Sequence, residues 1–344
     1  MRAIVMSTKA EGGLALREVS APRPADDELV VRMHAASLNY GTIAYLDGAL
    51  DNQIRGSDGA GTVVRAAANG TGPAVGDRIA FATPHGTWAE FAAVPVAFAA
   101  HVPDGVSDAT AAAIPGAGLT ALQAVRRLSG PDGLVGVEGS VRADKGVNAD
   151  EGASAPAQPL AGTRVLVTGA AGGVGVFAIQ LLVAAGAEVI AWVGRPERGA
   201  GLGELGASRV ITSAIELGDQ RVDAILDTVG GSVLTDALGC LADHGLALNI
   251  GFTSGEASLI NVEALRRMGP GRRLEFFVCT DVSGASLEIL LAEVAAQRVR
   301  VPLAPAVPWE RYAEAVAALL ERRVSGKVVL SISGAESDPN GIEY

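Results

Sequence analysis

Arg164-Val165-Leu166-Val167-Thr168-Gly169-Ala170-Ala171-Gly172-Gly173-Val174-Gly175 reads as a hydrophobic strand running into a glycine turn, and the apolar stretch 176–185 reads as the helix that follows. Ala170, Gly172 and Gly175 occupy the three positions of G-x-G-x-x-G, with alanine in the first, and Gly173 and Val174 fill the turn between them. Small residues at these places let the backbone turn tightly and approach a pyrophosphate, whose charge then sits at the helix N-terminus. Alone, such a glycine motif is weak. Set in a strand–turn–helix–strand context it predicts a dinucleotide site, the other reading being a turn packed closely for structural reasons only.

The next strand-like run, 188–193, decides between dinucleotides. NAD-binding proteins place an acid at its end to hold the ribose 2′-hydroxyl. Here the run ends in Val193 and Gly194, and Arg195 and Arg198 follow. Guanidinium groups suit the oxygens of a 2′-phosphate, which predicts NADPH as the cofactor. The alternative is a solvated basic loop with Glu197 as the ion-pair partner. The missing acid also counts against a methyltransferase.

Outward from this motif, strand-like and helix-like runs alternate. Strands are expected near 164–168, 188–193, 209–211, 222–227, 246–250 and 274–279, with helices near 174–185, 199–205, 234–241 and 285–297. Strands separated by helices imply a parallel sheet with right-handed crossovers. Residues 2–98 differ: short β-like runs at 3–6, 29–34, 61–66, 78–82 and 87–95 are bounded by turn residues, and Ser107 can cap a helix over 107–113. After Pro302, Pro305 and Pro308 come an amphipathic helix at 310–323 and a strand at 327–332 with no βαβ partner ahead of it, expected to rejoin the first domain. The fold class is thus α/β: a β domain from 1–122 and 300–344, and a doubly wound parallel-sheet domain over 123–299. Residues 129–161, rich in Gly, Ala, Asp and Pro, read as an atypical insertion within the second.

Composition narrows the function. The 344 residues include 44 glycines and are 49% hydrophobic but only 4% aromatic, so the core is built from small aliphatic side chains. A formal net charge of −11 argues against nucleic acid and anionic membranes as partners. Two cysteines, Cys240 and Cys279, and four histidines offer no metal-ligand spacing, and no metal is expected. The start of the chain lacks the pattern of a signal peptide. The apolar region 165–193 is interrupted by glycines, Gln180 and Glu188. A cytoplasmic protein is the expectation.

The order of motifs along nearly the whole chain resembles the medium-chain dehydrogenase/reductases, in their zinc-independent quinone oxidoreductase and enoyl reductase branch. The matching stretches are Ser37-Leu38-Asn39-Tyr40, residues 56–64, Val75-Gly76-Asp77-Arg78, Gly86-Thr87-Trp88-Ala89-Glu90-Phe91 and Gly118-Leu119-Thr120-Ala121. They continue with residues 169–175, Glu204-Leu205-Gly206-Ala207, Asp227-Thr228-Val229-Gly230-Gly231 and Gly326-Lys327-Val328-Val329-Leu330. The resemblance implies a GroES-like β domain around an inserted Rossmann domain, and a homodimer. The zinc enzymes of the same superfamily carry a Cys and a His–Glu pair near Asn39 and Ser57-Asp58; those ligands are missing here, and with them a Lewis acid for an alkoxide.

What the resemblance then implies is hydride transfer from NADPH to a quinone or an α,β-unsaturated carbonyl. Asn39 and Tyr40 lie beside the nicotinamide by resemblance, and Thr120 contacts its carboxamide region. Asn249, Gly251 and Phe252 come near the nicotinamide ribose, Phe277 and Val278 near the ring, and Lys327 reaches the cofactor from the returning segment. Enoyl reductases of the branch present a tyrosine acid shortly after the Asn-Tyr motif, and Tyr45 falls in that segment. Tyr40 reads equally as a packing aromatic, Asp58 as an acid or a partner of nearby backbone, and His85 as a surface residue. Where many relatives continue Asn-Tyr with Arg-Asp, this chain has Gly41-Thr42. That departure keeps open a tailoring enzyme acting on one unsaturated biosynthetic intermediate. A non-catalytic NADPH-binding sensor or scaffold is the third reading.

Overall fold

Runs of β-branched and aliphatic residues buried on both faces form a central parallel sheet. Val165, Leu166, Val167, Ala224, Ile225, Leu226, Leu246, Ala247 and Leu248 are all fully buried. The computed structural model describes residues 1–44, 50–130 and 158–332. They form two compact units, residues 1–119 with 280–332 and residues 120–279.

In the second unit six parallel strands lie in the order Arg209–Ile211, Glu188–Trp192, Arg164–Thr168, Val222–Asp227, Leu241–Asn249, Arg273–Phe276. Counted along the chain that is 3-2-1-4-5-6, the doubly wound order whose reversal lies beside the first strand. The helix after the glycine turn is Gly173–Ala184. It is apolar nearly all round and buries Val176, Phe177, Ala178, Ile179 and Leu182, while Gln180 satisfies itself by donating to the Val176 carbonyl at 2.7 Å. The apolar region 165–193 is therefore a strand, a helix and a strand. No helix among the described residues is long and apolar enough to cross a membrane.

In the first unit, Glu28–Leu38 is the long central strand of a seven-stranded sheet. It pairs antiparallel with Asp58–Arg65, Phe91–Pro95 and Val328–Ser331. The last of these is the unpartnered strand of the sequence, and it does return to the first unit, with Val328 opposite Leu38 and Ser331 opposite Ala35. Arg2–Met6 and Leu14–Glu18 form a separate two-stranded ribbon. Ser107 caps the helix Asp108–Ala113, accepting from the Thr110 amide at 3.1 Å.

Three expectations differ from what is observed. The helix expected at 199–205 is a short 3-10 turn, Pro196–Gly199, followed by further turns. Gly201 and Gly206 have φ of +79° and +104°, outside the helical region, and four glycines in eight residues remove any helical preference. The helix Gly284–Ala295 belongs to the first unit, so the second boundary lies at 279/280 rather than 299/300. Its first residue packs so closely on the Ala99 backbone that a Cβ there would overlap the carbonyl oxygen. The first boundary, 119/120, falls within the helix Pro115–Ser129. Of the insertion expected at 129–161, residues 131–157 lie outside the described residues.

Candidate active site

The glycine turn of the second unit is shaped by two close approaches. Gly169 has φ +60°, and a Cβ on Gly175 would overlap the carbonyl of Ala170. The turn therefore demands glycine at the third fingerprint position, Gly175, and favours it at Gly169 just ahead of the fingerprint. Gly172 is the N-cap of the helix Gly173–Ala184 and offers no side-chain cap. The first-turn amides, which no intrahelical carbonyl can satisfy, are thus left to a ligand or solvent. These features fit a dinucleotide pyrophosphate. Gly194 and Arg195 are exposed at the end of the second strand, and Arg198 turns back so that its Nη2 donates to the Ala171 carbonyl at 3.4 Å. The basic loop and the glycine turn, 23 positions apart between Gly175 and Arg198 in sequence, meet at that contact.

The carboxyl ends of the neighbouring strands are tied together by Asp227, fully buried. It accepts from Thr168 Oγ1 at 2.6 Å, the Gly230 amide at 3.0 Å and Asn249 Nδ2 at 2.8 Å. Asn249 Nδ2 also donates to the Gly251 carbonyl at 2.9 Å. Its amide hydrogens are spent, and only its oxygen remains to meet a ligand, as an acceptor. Phe252 is half exposed, the Phe277 amide donates to the Asn249 carbonyl at 2.8 Å, and Val278 is largely exposed. Thr120 is half-buried on the helix Pro115–Ser129. The sequence motif Asp227-Thr228-Val229-Gly230-Gly231 carried no role for Asp227; an acid closing an apolar strand just before two glycines was its signal.

In the first unit Asn39 closes the strand Glu28–Leu38, and Tyr40 opens the short helix Tyr40–Ala44. Asn39 Nδ2 donates to Asp58 Oδ2 at 2.8 Å and to Ser57 Oγ at 3.2 Å. Its oxygen accepts from Lys327 Nζ at 2.5 Å. Asp58 is 1% exposed and also accepts from Ser57 Oγ and from the Gly116 amide at 3.1 Å. A Cβ on Gly116 would lie 2.8 Å from Asp58 Oδ2, so glycine is required at that contact. Lys327 is 2% exposed, with Nζ 3.9 Å from Asp58 Oδ2. Burial pushes its ammonium below the usual 10.5, and Asp58 acts in the opposite direction. Of the expected site residues, Asn39 is thus in direct contact with Lys327, which was expected at the cofactor; Tyr40 follows Asn39 in the chain, and Tyr45 lies outside the described residues.

An amide, a hydroxyl and one carboxylate with an ammonium already against them do not match a zinc centre, which draws on thiolate, imidazole and carboxylate ligands. Among the described residues no three His, Cys, Asp or Glu side chains converge as metal ligands.

Two family models match the chain: the alcohol dehydrogenase GroES-like domain over residues 25–104, and the zinc-binding dehydrogenase domain over residues 205–330. The quinone oxidoreductase of Pseudomonas aeruginosa is 28% identical over 271 residues, covering 74% of both chains. The low-reducing polyketide synthase drtA of Aspergillus calidoustus is 32% identical over 254 residues, 69% of this chain but only 10% of the synthase. The chain therefore spans about three quarters of the first relative and about a tenth of the second. Among solved structures, mycobacterial Rv1454c complexed with NADPH superposes with a TM-score of 0.78 at 25% identity, over 96% of this chain and all of that one. The first unit is GroES-like and the second is a Rossmann domain, and the chain belongs to the medium-chain dehydrogenase/reductase superfamily, in its quinone oxidoreductase branch.

Proposed function

We propose that the chain is an NADPH-dependent, zinc-independent oxidoreductase that reduces a quinone or an α,β-unsaturated carbonyl. The observation that carries this reading is the Arg198 guanidinium held against the glycine turn, with no acid at the end of the strand Glu188–Trp192. The NADPH complex of the mycobacterial relative supports it.

When bound, NADPH supplies the hydride. The chain's own residues bind and orient it. First-turn amides at Gly173 and Val174 take the pyrophosphate, and the small residues Ala170, Gly172 and Gly175 allow the approach. Arg195 and Arg198 take the 2′-phosphate, beside Gly194. Asn249 accepts from a ribose hydroxyl through its free oxygen, next to Gly251. Thr120 hydrogen-bonds the nicotinamide carboxamide, and Phe252, Phe277 and Val278 exclude water from it. An enone takes hydride at its β-carbon, so its carbonyl oxygen needs a donor and its α-carbon a proton. The Tyr40 hydroxyl is the donor among the described candidates, and Tyr45 is the second tyrosine to test. Asn39 is not that donor, because its amide hydrogens are already spent.

The chain functions as a homodimer in this reading. Its surface for a second copy is the edge of the Rossmann sheet, where the strand Arg273–Phe276 ends in an exposed Phe276.

Steady-state NADPH oxidation against a panel of quinones and enones tests the activity. Turnover with at least one acceptor is expected. NADPH binding with no acceptor turned over would leave a non-catalytic binder in place of an enzyme. The similarity to part of a polyketide synthase favours a second substrate reading, an unsaturated biosynthetic thioester. Faster reduction of an enoyl thioester than of any quinone would decide for it.

A further inference from the structure

Lys327, Asn39 and Asp58 are brought together from chain positions up to 288 apart, at a point where both charged groups are almost wholly removed from water. An ammonium in such a place is costly unless it is paired and hydrogen-bonded. Here it has the Asn39 oxygen at 2.5 Å, the Leu38 carbonyl at 3.4 Å and the Asp58 carboxylate at 3.9 Å. The lysine has little freedom to move. Its amide donates to the Pro302 carbonyl at 2.9 Å, and its own carbonyl accepts from the Ala304 amide at 3.0 Å. The preceding Gly326, at φ +74°, sits so close to Pro302 that a Cβ would overlap the Pro302 carbonyl oxygen.

The Asn39 carboxamide has one arrangement compatible with these neighbours. An ammonium only donates and a carboxylate only accepts, so the amide oxygen must face Lys327 and the NH2 must face Asp58 and Ser57. Reversed, the amide would set donor against donor and acceptor against acceptor. Resting on the oxidoreductase reading above, we propose that Lys327 is a positioning residue: its buried ammonium, balanced by Asp58, orients the Asn39 carboxamide and so fixes the start of the helix that carries Tyr40. The ammonium is wholly engaged inside the first unit, on Asn39, Leu38 and Asp58. Its effect on the reaction runs through Asn39 and Tyr40, and the cofactor is held by other residues.

Lys327→Met alone strands a buried carboxylate and is expected to lower the melting temperature sharply. The double variant Lys327→Met/Asp58→Asn removes both charges and keeps the fold testable. Three measurements are made on wild type and double variant: NADPH dissociation constant, kcat with the best acceptor, and the side-chain amide signal of Asn39 in ¹⁵N-asparagine-labelled protein, assigned by its loss in Asn39→Ser. The double variant should lose on the order of a hundredfold in kcat, the scale of a small misplacement of a reacting group. Its NADPH dissociation constant should stay within about threefold of wild type, since the pyrophosphate and 2′-phosphate are held elsewhere. The two Asn39 amide protons, well separated and slow to exchange in wild type, should move towards the values of exposed asparagine. Wild-type kcat with an unchanged Asn39 signal in the double variant would overturn the proposal. So would a large rise in the NADPH dissociation constant with kcat unchanged, which would make Lys327 a cofactor ligand. Should the wild type reduce no acceptor, the oxidoreductase reading fails while the Asn39 signal still decides the positioning role.

Discussion

Arg198 donates from its guanidinium to the carbonyl of Ala171, inside the turn that the dinucleotide fingerprint describes. In the proposed NADPH site a cation anchored there would add charge-assisted hydrogen bonds to a 2′-phosphate that NADH lacks. Arg198→Ala is therefore expected to raise KM for NADPH by about tenfold, the scale of one charge-assisted hydrogen bond, and to leave KM for NADH nearly unchanged. Arg195→Ala should act in the same direction and more weakly, as an exposed group. Initial rates with both cofactors check this; equal affinity of the wild type for NADH and NADPH would sink it.

Asp227 is expected to matter more for stability than for chemistry. Its carboxylate joins Thr168, Gly230 and Asn249, so it holds three strand or turn segments at the carboxyl end of the Rossmann sheet. Asp227→Ala leaves buried donors without acceptors and should cost about 3–5 kcal/mol. Asp227→Asn keeps part of the pattern and should cost less. Urea unfolding of both variants gives the comparison, and a loss under about 1 kcal/mol for the alanine variant, the net worth of one ordinary hydrogen bond, would refute the assignment.

The two sites differ in how far they could be read from the chain. The glycine turn is legible as a strand, a turn and a helix because its determinants are local: residues 164–185 carry all three in one stretch, and glycine is needed where backbone meets backbone. The return of Val328–Ser331 to the first sheet was legible too, as an apolar strand without a βαβ partner. The Asn39 cluster was not. Its members sit at positions 39, 57, 58, 116 and 327, and no local pattern states that a buried lysine will meet an asparagine across the whole chain. The helix expected at 199–205 does not form for a simpler reason: its apolar spacing is outweighed by the glycines that break it. The helix Gly284–Ala295 belongs to the first unit although it follows the alternating pattern, because alternation with strands says nothing about which sheet a helix packs on.

A pH dependence follows from Asp108. His34 Nδ1 lies 2.9 Å from Asp108 Oδ2, and Arg78 donates to Oδ1 at 2.7 Å and 3.1 Å. The hydrogen bond with His34 is the largest influence holding this carboxyl below its ordinary 3.8; burial opposes it and Arg78 reinforces it. The folded state therefore binds the proton less readily than the unfolded chain. The stability it contributes is fully present above about pH 3.8 and is lost as pH falls through the depressed folded value. At pH 7 Asp108→Asn should cost about 1 kcal/mol, since the cluster is partly open to solvent screening. The gap between variant and wild type should close as the pH drops below 3.8. Urea unfolding across pH 3 to 7 measures this, and a gap that stays constant through the acid limb would contradict it.

The edge of the Rossmann sheet has a measurable consequence for assembly. Arg273–Phe276 is the terminal strand of the sheet, and Phe276 and Val278 are 80% and 74% exposed. Edge strands left in water invite pairing with another chain, and natural proteins usually guard them with charge, bulges or cover. Here the edge strand carries Arg273 and Glu275 but ends in a large exposed aromatic, as expected if a second copy covers it. A stable interface of that kind buries roughly 1,600 Å² in total, within reach of an edge strand and its flanks. Light scattering should accordingly give the mass of two chains for the wild type. Phe276→Glu places a charge at the seam and should shift the mass towards one chain at micromolar concentration. Because Phe276 is not among the residues assigned to NADPH, cofactor binding should survive the change. A wild-type mass of one chain would remove the dimer, and an unaltered two-chain mass in Phe276→Glu would move the interface to another surface.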